Sequence, residues 1–199
     1  MSEEKSLTSL TEEVAGIFQL SLFPPEKCRH FIEKANSLNG WESARVHGGH
    51  DDGDVQWVVS SEVRQAAMIS LSSLPSVFEQ FDATIRRRII PLVNEAWRLH
   101  LQEHGGAQII RYHPGGHYVA HTDTGPDLDD RQFSVVCYLN DDFSGGVTNF
   151  PSLNYSVTPR CGKAVVFPSE YLHRAEPVVR GSKYVLVSWL IGQAPVSWI

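Results

Sequence analysis

The chain has 199 residues, 42% of them hydrophobic with five Trp, nine Phe and six Tyr, which fits one packed domain of residues 1–199. Its formal net charge of -6 argues against a phosphate backbone as the main partner, because that task uses clustered Lys and Arg. No stretch approaches the roughly 20 apolar residues of a membrane span. The polar start MSEEKSLTSLTEE lacks the regions of a secretory signal, so a cytoplasmic location is expected.

Residues 14–23 form an apolar run ending in Pro24-Pro25, which reads as an early strand leading into a helix. Cys28, Phe31, Ile32, Ala35 and Leu38 then recur at helical steps, and Asn39-Gly40 stops them. A second strand is expected at 41–46. The segment 47–54, HGGHDDGD, has three glycines and alternating charge and reads as a solvated loop able to close over a ligand. Residues 61–72 look helical. Val77, Phe78, Phe81, Ile85 and Ile89 continue a helical stripe that Pro91 must kink or restart, with Gly105-Gly106 as its end. The run Arg86-Arg87-Arg88 lies on that helix and reads as a solvated face. From 108 onward the pattern changes to short alternating or apolar runs at 108–112, 132–139, 163–167 and 184–191. Helices followed by many strands predict helices packed on a β-sandwich or barrel. Cys28, Cys137 and Cys161 are odd in number and lack C-x-x-C spacing, so neither a disulfide framework nor a structural zinc is expected.

The chemistry concentrates at His121-Thr122-Asp123, where strand spacing would turn one imidazole and one carboxylate to the same face. Two such donors hold a metal poorly. His173 offers a third, and two imidazoles with one carboxylate around half of a cation form the facial triad of non-haem Fe(II) oxygenases. Lys183, ten residues beyond His173 and at the start of an apolar strand, would be costly to bury without an anion. The other histidines sort differently. His30, His100 and His104 fall on helical patterns and are expected to face solvent, while His113 and His117 flank the turn at Pro114-Gly115-Gly116.

Together, the H-x-D, the distal His and the Lys resemble the Fe(II)/2-oxoglutarate-dependent dioxygenases, specifically the prolyl 4-hydroxylase-like branch. The run 112–118, YHPGGHY, is similar to the segment leading into that family's H-x-D. Tyr138-Leu139-Asn140, the stretch SGGVTNF at 144–150 and PRCGKAVVF at 159–167 resemble three further family segments. The resemblance implies a mostly β fold with supporting α-helices, a double-stranded β-helix (jelly roll) related to the cupins. It implies Fe(II) bound by His121, Asp123 and His173, with 2-oxoglutarate as cosubstrate, O2 as oxidant and ascorbate as a candidate reductant. Lys183 would pair with the distal carboxylate of 2-oxoglutarate, helped by Tyr138 and Thr148, with Tyr112 lining the same pocket. Val187 and Trp189 would be wall residues, and His117, Tyr118 and Arg131 are assigned no chemical role.

The expected activity is hydroxylation of an unactivated C–H bond, and Asp123 argues against halogenation because halogenating relatives have a small residue there. The expected substrate is a free amino acid or small biosynthetic intermediate. A prolyl residue in a peptide or protein is the alternative, and a non-catalytic jelly-roll binding module is the rival from another class. Acidic stretches at 51–54 and 127–131 would suit a cationic or polar substrate if they flank the mouth. The apolar Trp198-Ile199 is expected to pack on the core.

Overall fold

Two sheets facing one another hold most of the strands, and the computed structural model describes residues 11–52, 54–125 and 127–192. Trp198 and Ile199 lie outside the described residues. The strands and helices in chain order are β1 (Thr11–Val14), β2 (Ile17–Ser21), α1 (Pro25–Asn36), β3 (Glu42–Ser43), β4 (Val46–Asp51), β5 (Asp54–Val58), β6 (Arg64–Gln65), β7 (Ala67–Ser70), α2 (Pro75–Thr84) and α3 (Ile90–Trp97). They continue with β8 (Glu103–Tyr112), β9 (His117–His121), β10 (Arg131–Tyr138), β11 (Ser144–Gly145), β12 (Thr148–Phe150), β13 (Tyr155–Val157), β14 (Lys163–Pro168), β15 (His173–Ala175), β16 (Val178–Arg180) and β17 (Lys183–Ile191). The larger sheet runs β1-β2-β14-β10-β17-β8-β7-β3, and the smaller runs β13-β12-β15-β9-β6.

The larger sheet is buried on both faces, which is why its central strands read as near-continuous apolar runs. Successive side chains alternate sides. Val135, Cys137, Leu186 and Leu190 pack outward against Phe31, Phe81, Ile85 and Ile89 of the helical layer. Val136, Tyr138, Val185, Val187 and Trp189 point inward, toward Phe150 and Val157 of the smaller sheet. Burial pushes the Cys28 thiol up to about 12, in keeping with its place on the inner face of α1. The helical layer therefore braces the sheet from outside, and the space between the sheets is left for the site.

Pro91 is absorbed by a change of pitch: a π-helical turn at Ile85–Ile89 stands between α2 and α3. The helix then ends at Trp97, with Arg98 in the left-handed region at φ 55°, rather than continuing to Gly105-Gly106 as expected. Those glycines lie inside β8, where the pairing with β17 shifts register. A Cβ on Gly106 would come within 2.6 Å of the Trp189 ring, so the bare backbone there makes room for a large inward side chain.

Two further expectations are corrected. Residues 61–72 are not a helix: Arg64 and Gln65 pair with Tyr118 and His117, and Ala67 to Ser70 pair with β8 from Arg111 to Gln108. Long-range pairing overrides the helical propensity of Gln65-Ala66-Ala67-Met68. The segment 47–54 is not an irregular loop either, since β4 and β5 form a hairpin with His47 opposite Trp57. The strand expected over 41–46 is reduced to Glu42–Ser43. The arginine run is only partly a solvated face. Arg86 pairs with Asp82 and Glu103, and Arg88 donates to the carbonyls of Ser21 and Leu22. No helix among the described residues is long and apolar enough to cross a membrane.

Candidate active site

The antiparallel pairing of β9 with β15 sets His121 directly opposite His173. Cross-strand partners on one face approach closely, and the two imidazole centroids lie 4.3 Å apart. Asp123 is not a strand neighbour of His121, as the spacing predicts. The strand ends at His121, the chain bends, and the Asp123 N–H donates to the Ser169 carbonyl at 2.8 Å. The Ser134 hydroxyl on β10 then donates to Asp123 Oδ2 at 2.7 Å and fixes the carboxylate. Oδ1 lies 3.4 Å from His121 Nε2 and Oδ2 lies 3.6 Å from His173 Nε2. The three donor atoms fall within 4.8 Å of one another.

The backbone decides which ring nitrogens are free. His121 Nδ1 lies 2.8 Å from the Val119 carbonyl and His173 Nδ1 lies 2.9 Å from the Tyr171 carbonyl. A carbonyl only accepts, so each Nδ1 carries a proton and each Nε2 is the ring atom turned toward Asp123. Burial pushes His173 down to about 4 against the opposing pull of Asp123, so the ring is neutral at pH 7. Burial alone would raise the Asp123 carboxyl. The imidazoles and the Ser134 hydroxyl outweigh it and hold the group well below the ordinary carboxylate range. Two Nε2 atoms and an ionised carboxylate form a donor set suited to a divalent cation.

A cavity of about 700 Å³ opens beside this cluster, within the range of small-ligand pockets. Lys183 lies in its wall, only 2% exposed. Its Nζ donates to the Gly146 carbonyl at 2.7 Å and stands 5.1 and 5.5 Å from the Tyr112 and Tyr138 ring centroids. Among the described residues it has no carboxylate partner, and burial pushes it down to about 7. Tyr112 and Thr148 share the cavity wall with Lys183. Tyr138 does not line it. Fully buried, it stands behind Thr148 and donates to the Thr148 hydroxyl at 2.7 Å. The wall thus offers one ammonium and one hydroxyl held by a second, the features that a dianionic keto acid would meet.

Val187 and Trp189 line the cavity as expected. So do Tyr118 and Arg131, to which the sequence assigns no role, and Arg64, which it does not single out. Arg131 spreads its guanidinium 3.7 Å from the Trp189 ring centroid. His117 instead turns its ring to the carbonyls of Gly115 and Glu62. His104 is no solvent-facing helical residue. It lies on β8, its side chain 1% exposed, between Ser188 and Asp82.

Residues 107–191 match the 2OG-Fe(II) oxygenase superfamily, a stretch that contains all three triad residues and Lys183. A protein of Acanthamoeba polyphaga mimivirus bearing a prolyl 4-hydroxylase name is 26% identical over 191 residues, covering 85% of this chain and 71% of that one. The fold is shared with the crystal structure of a Pseudomonas putida prolyl-4-hydroxylase, at TM-score 0.65 and 22% identity over 89% of this chain and 93% of that one. It is shared too with a Trichoplax adhaerens prolyl hydroxylase in complex with a hypoxia inducible factor oxygen degradation domain peptide fragment, at TM-score 0.60 and 16% identity over 88% and 83% of the two chains. The matched segment 107–191 is that of a 2OG-Fe(II) oxygenase, and the fold is the jelly roll of the solved structures that share it. The named relatives are prolyl 4-hydroxylases, and the matched superfamily uses Fe(II), 2-oxoglutarate and O2, for which the triad supplies a donor set.

Proposed function

We propose that His121, Asp123 and His173 hold the iron, that Lys183 takes the distal carboxylate of 2-oxoglutarate beside Thr148 and Tyr112, and that the substrate is a free amino acid or small biosynthetic intermediate hydroxylated at an unactivated C–H bond. When bound, the iron and 2-oxoglutarate supply the oxidation, in which substrate, O2 and 2-oxoglutarate become hydroxylated product, succinate and CO2. The protein's own share is placement. The Val119 and Tyr171 carbonyls hold both Nδ1 atoms and so turn both Nε2 atoms toward Asp123, and Ser134 orients the carboxylate. All three donors come from one side, so the other side stays available to small ligands. The rival reading as a non-catalytic binding module leaves a complete donor set and a buried lysine without a purpose.

The observation that carries the cosubstrate assignment is Lys183, a buried cation on a cavity wall with no carboxylate partner among the described residues. For the substrate, the support is the border and size of the cavity. The β4–β5 hairpin is tied by His47 Nε2 to Asp127 Oδ2 at 2.7 Å, and His47 and Trp57 both reach the cavity wall. The hairpin thus borders a cavity of about 700 Å³, the scale of a small molecule. The mimivirus and Trichoplax relatives favour a second reading, hydroxylation of a prolyl residue in a peptide. We also take residues 1–199 as one oxygenase unit, supported by the cluster that joins Leu22, Phe31 and Phe81 to Val135 of the sheet. Succinate release measured with free amino acids against prolyl peptides tests the choice: the account expects coupled turnover with a free amino acid, and turnover with peptides alone would replace it with the second reading.

A further inference from the structure

The cavity wall is basic although the chain as a whole is acidic. Apart from Lys183, three guanidinium groups face it, those of Arg45, Arg64 and Arg131, against the single carboxylate of Asp123. None of the three arginines forms an ion pair with a carboxylate among the described residues. Arg64 donates to the Arg45 carbonyl at 3.2 Å and lies 4.7 Å over the Tyr118 ring, whose other neighbour is His121. Arg131 reaches the Asp123 carbonyl at 3.4 Å and stacks on Trp189. Two cations therefore stand one layer away from the triad, on separate strands.

Charge counting shows that the cosubstrate does not explain them. An iron dication with Lys183 carries three positive charges, and Asp123 with a 2-oxoglutarate dianion carries three negative ones. The loaded centre is neutral, and the guanidinium groups remain unbalanced. Of the acidic loop, Asp127 is engaged with His47, and Asp130 acts on Arg131 through space without forming an ion pair among the described residues. A second observation points the same way. Buried polar atoms are nearly always hydrogen-bonded, yet three on residues of this wall have no partner: the donors Arg64 Nε and Trp189 Nε1, and the acceptor Gln108 Oε1. Gln108 and Trp189 lie on adjacent strands, on the cavity face of the larger sheet.

We infer that Arg64 and Arg131, with Gln108 and Trp189 between the strands, form the subsite for the substrate's own carboxylate and the N–H beside it, so that the enzyme takes a free amino or imino acid and rejects its amide. This rests on the oxygenase reading above and narrows it. Guanidinium pairs bind a carboxylate by charge-assisted hydrogen bonds, and Gln108 Oε1 supplies the acceptor that an α-amino or imino N–H needs. Arg45, exposed at the mouth, would steer the anion inward.

The test uses the Fe(II)- and 2-oxoglutarate-loaded protein without O2, titrated with the common amino acids, L-proline among them, and with the matching amides. Binding is read from the shift of the visible Fe(II)–2-oxoglutarate band and, separately, by calorimetry. The inference expects at least one free acid to bind, its amide to bind at least about 100-fold more weakly, and Arg131→Gln and Arg64→Gln each to weaken the acid about tenfold or more while the band itself still forms. Arg131→Lys, which keeps the charge but loses the planar fork, should recover part of the affinity. Equal binding of acid and amide, or a band that forms while no free acid binds, would overturn the inference and leave the oxygenase assignment standing. Failure of the band to form in the unaltered protein would overturn the assignment itself and the inference with it.

Discussion

The Tyr118 ring lies flat on the His121 imidazole, their centroids 3.5 Å apart and their planes 19° from parallel. On the other side of His121 stands the His173 ring, itself packed edge-on against Phe167 at 4.7 Å. The metal-facing nitrogens are thus held by aromatic contacts as well as by the carbonyls behind them. Tyr118→Ala should weaken Fe(II) binding about 3- to 10-fold, the worth of one such stack. Tyr118→Phe should leave it nearly unchanged. Equilibrium titration with Fe(II) under anaerobic conditions checks both, and equal losses in the two variants would assign the effect to the hydroxyl instead.

Ser134 is the group that fixes Asp123, and it is itself 3.0 Å from the Ser169 hydroxyl. Ser134→Ala should cost about 10- to 100-fold in metal affinity, as for other residues that orient a metal ligand. It should also raise the Asp123 carboxyl toward its ordinary value of 3.8, since that hydroxyl is one of the groups holding it down. The stability contributed by Asp123 is present above about 3.8 and is lost as pH falls through the lowered folded value. The metal-free variant should therefore show a shallower loss of stability on acidification below about pH 3.8, measured by denaturation as the pH is lowered from 5 toward the lowered folded value.

Lys183 gives opposite signs for folding and for binding. Burial pushes it from 10.5 down to about 7, so its charge destabilises the empty protein in full below about pH 7. That penalty fades as pH rises from about 7 to 10.5, and stability should climb over this window. Lys183→Met should flatten the climb and, at pH 6, stabilise the protein by about 1–4 kcal/mol. The same substitution should weaken 2-oxoglutarate binding severely. In the unaltered protein the cosubstrate should bind with uptake of close to one proton at pH 8 and almost none at pH 6, read by calorimetry in buffers of different ionisation enthalpy.

Gly162 ties the first helix to the larger sheet. Its N–H donates to the Tyr138 carbonyl while its own carbonyl accepts from Leu22 and Phe23. It sits at φ 78°, and a Cβ there would overlap the Phe23 carbonyl oxygen. Gly162→Ala should destabilise the fold by about 2–4 kcal/mol. Denaturant unfolding checks this, and a loss of no more than a few tenths would show that the junction relaxes freely.

The parts legible in the sequence were those fixed by local periodicity or by a donor set with few substitutes. Cys28, Phe31 and Ala35 mark the buried face of the first helix, and 132–139 and 184–191 read as core strands because both of their faces are covered. His121, Asp123, His173 and Lys183 stand out by chemistry. What escaped was set by distant pairing. Residues 61–72 became strands because β8 and β9 offered them edges, and no local signal reports an edge elsewhere in the chain. His104 looked helical for the same reason, its strand identity depending on β17. Arg64, Tyr118 and Arg131 were missed as site residues because their roles follow from which rings they meet across the cavity. One sign was available: Arg131 and Ser134 occupy the same strand as Tyr138, seven and four residues before it.

The central claim is that two imidazoles and one carboxylate hold Fe(II) while leaving places for a keto acid anchored on Lys183. Anaerobic addition of Fe(II) and 2-oxoglutarate should produce a weak visible absorption band that needs both components, disappears in Asp123→Ala and His173→Ala, and requires far more 2-oxoglutarate in Lys183→Met. A band of unchanged strength in Asp123→Ala, or an unchanged 2-oxoglutarate requirement in Lys183→Met, would contradict the account.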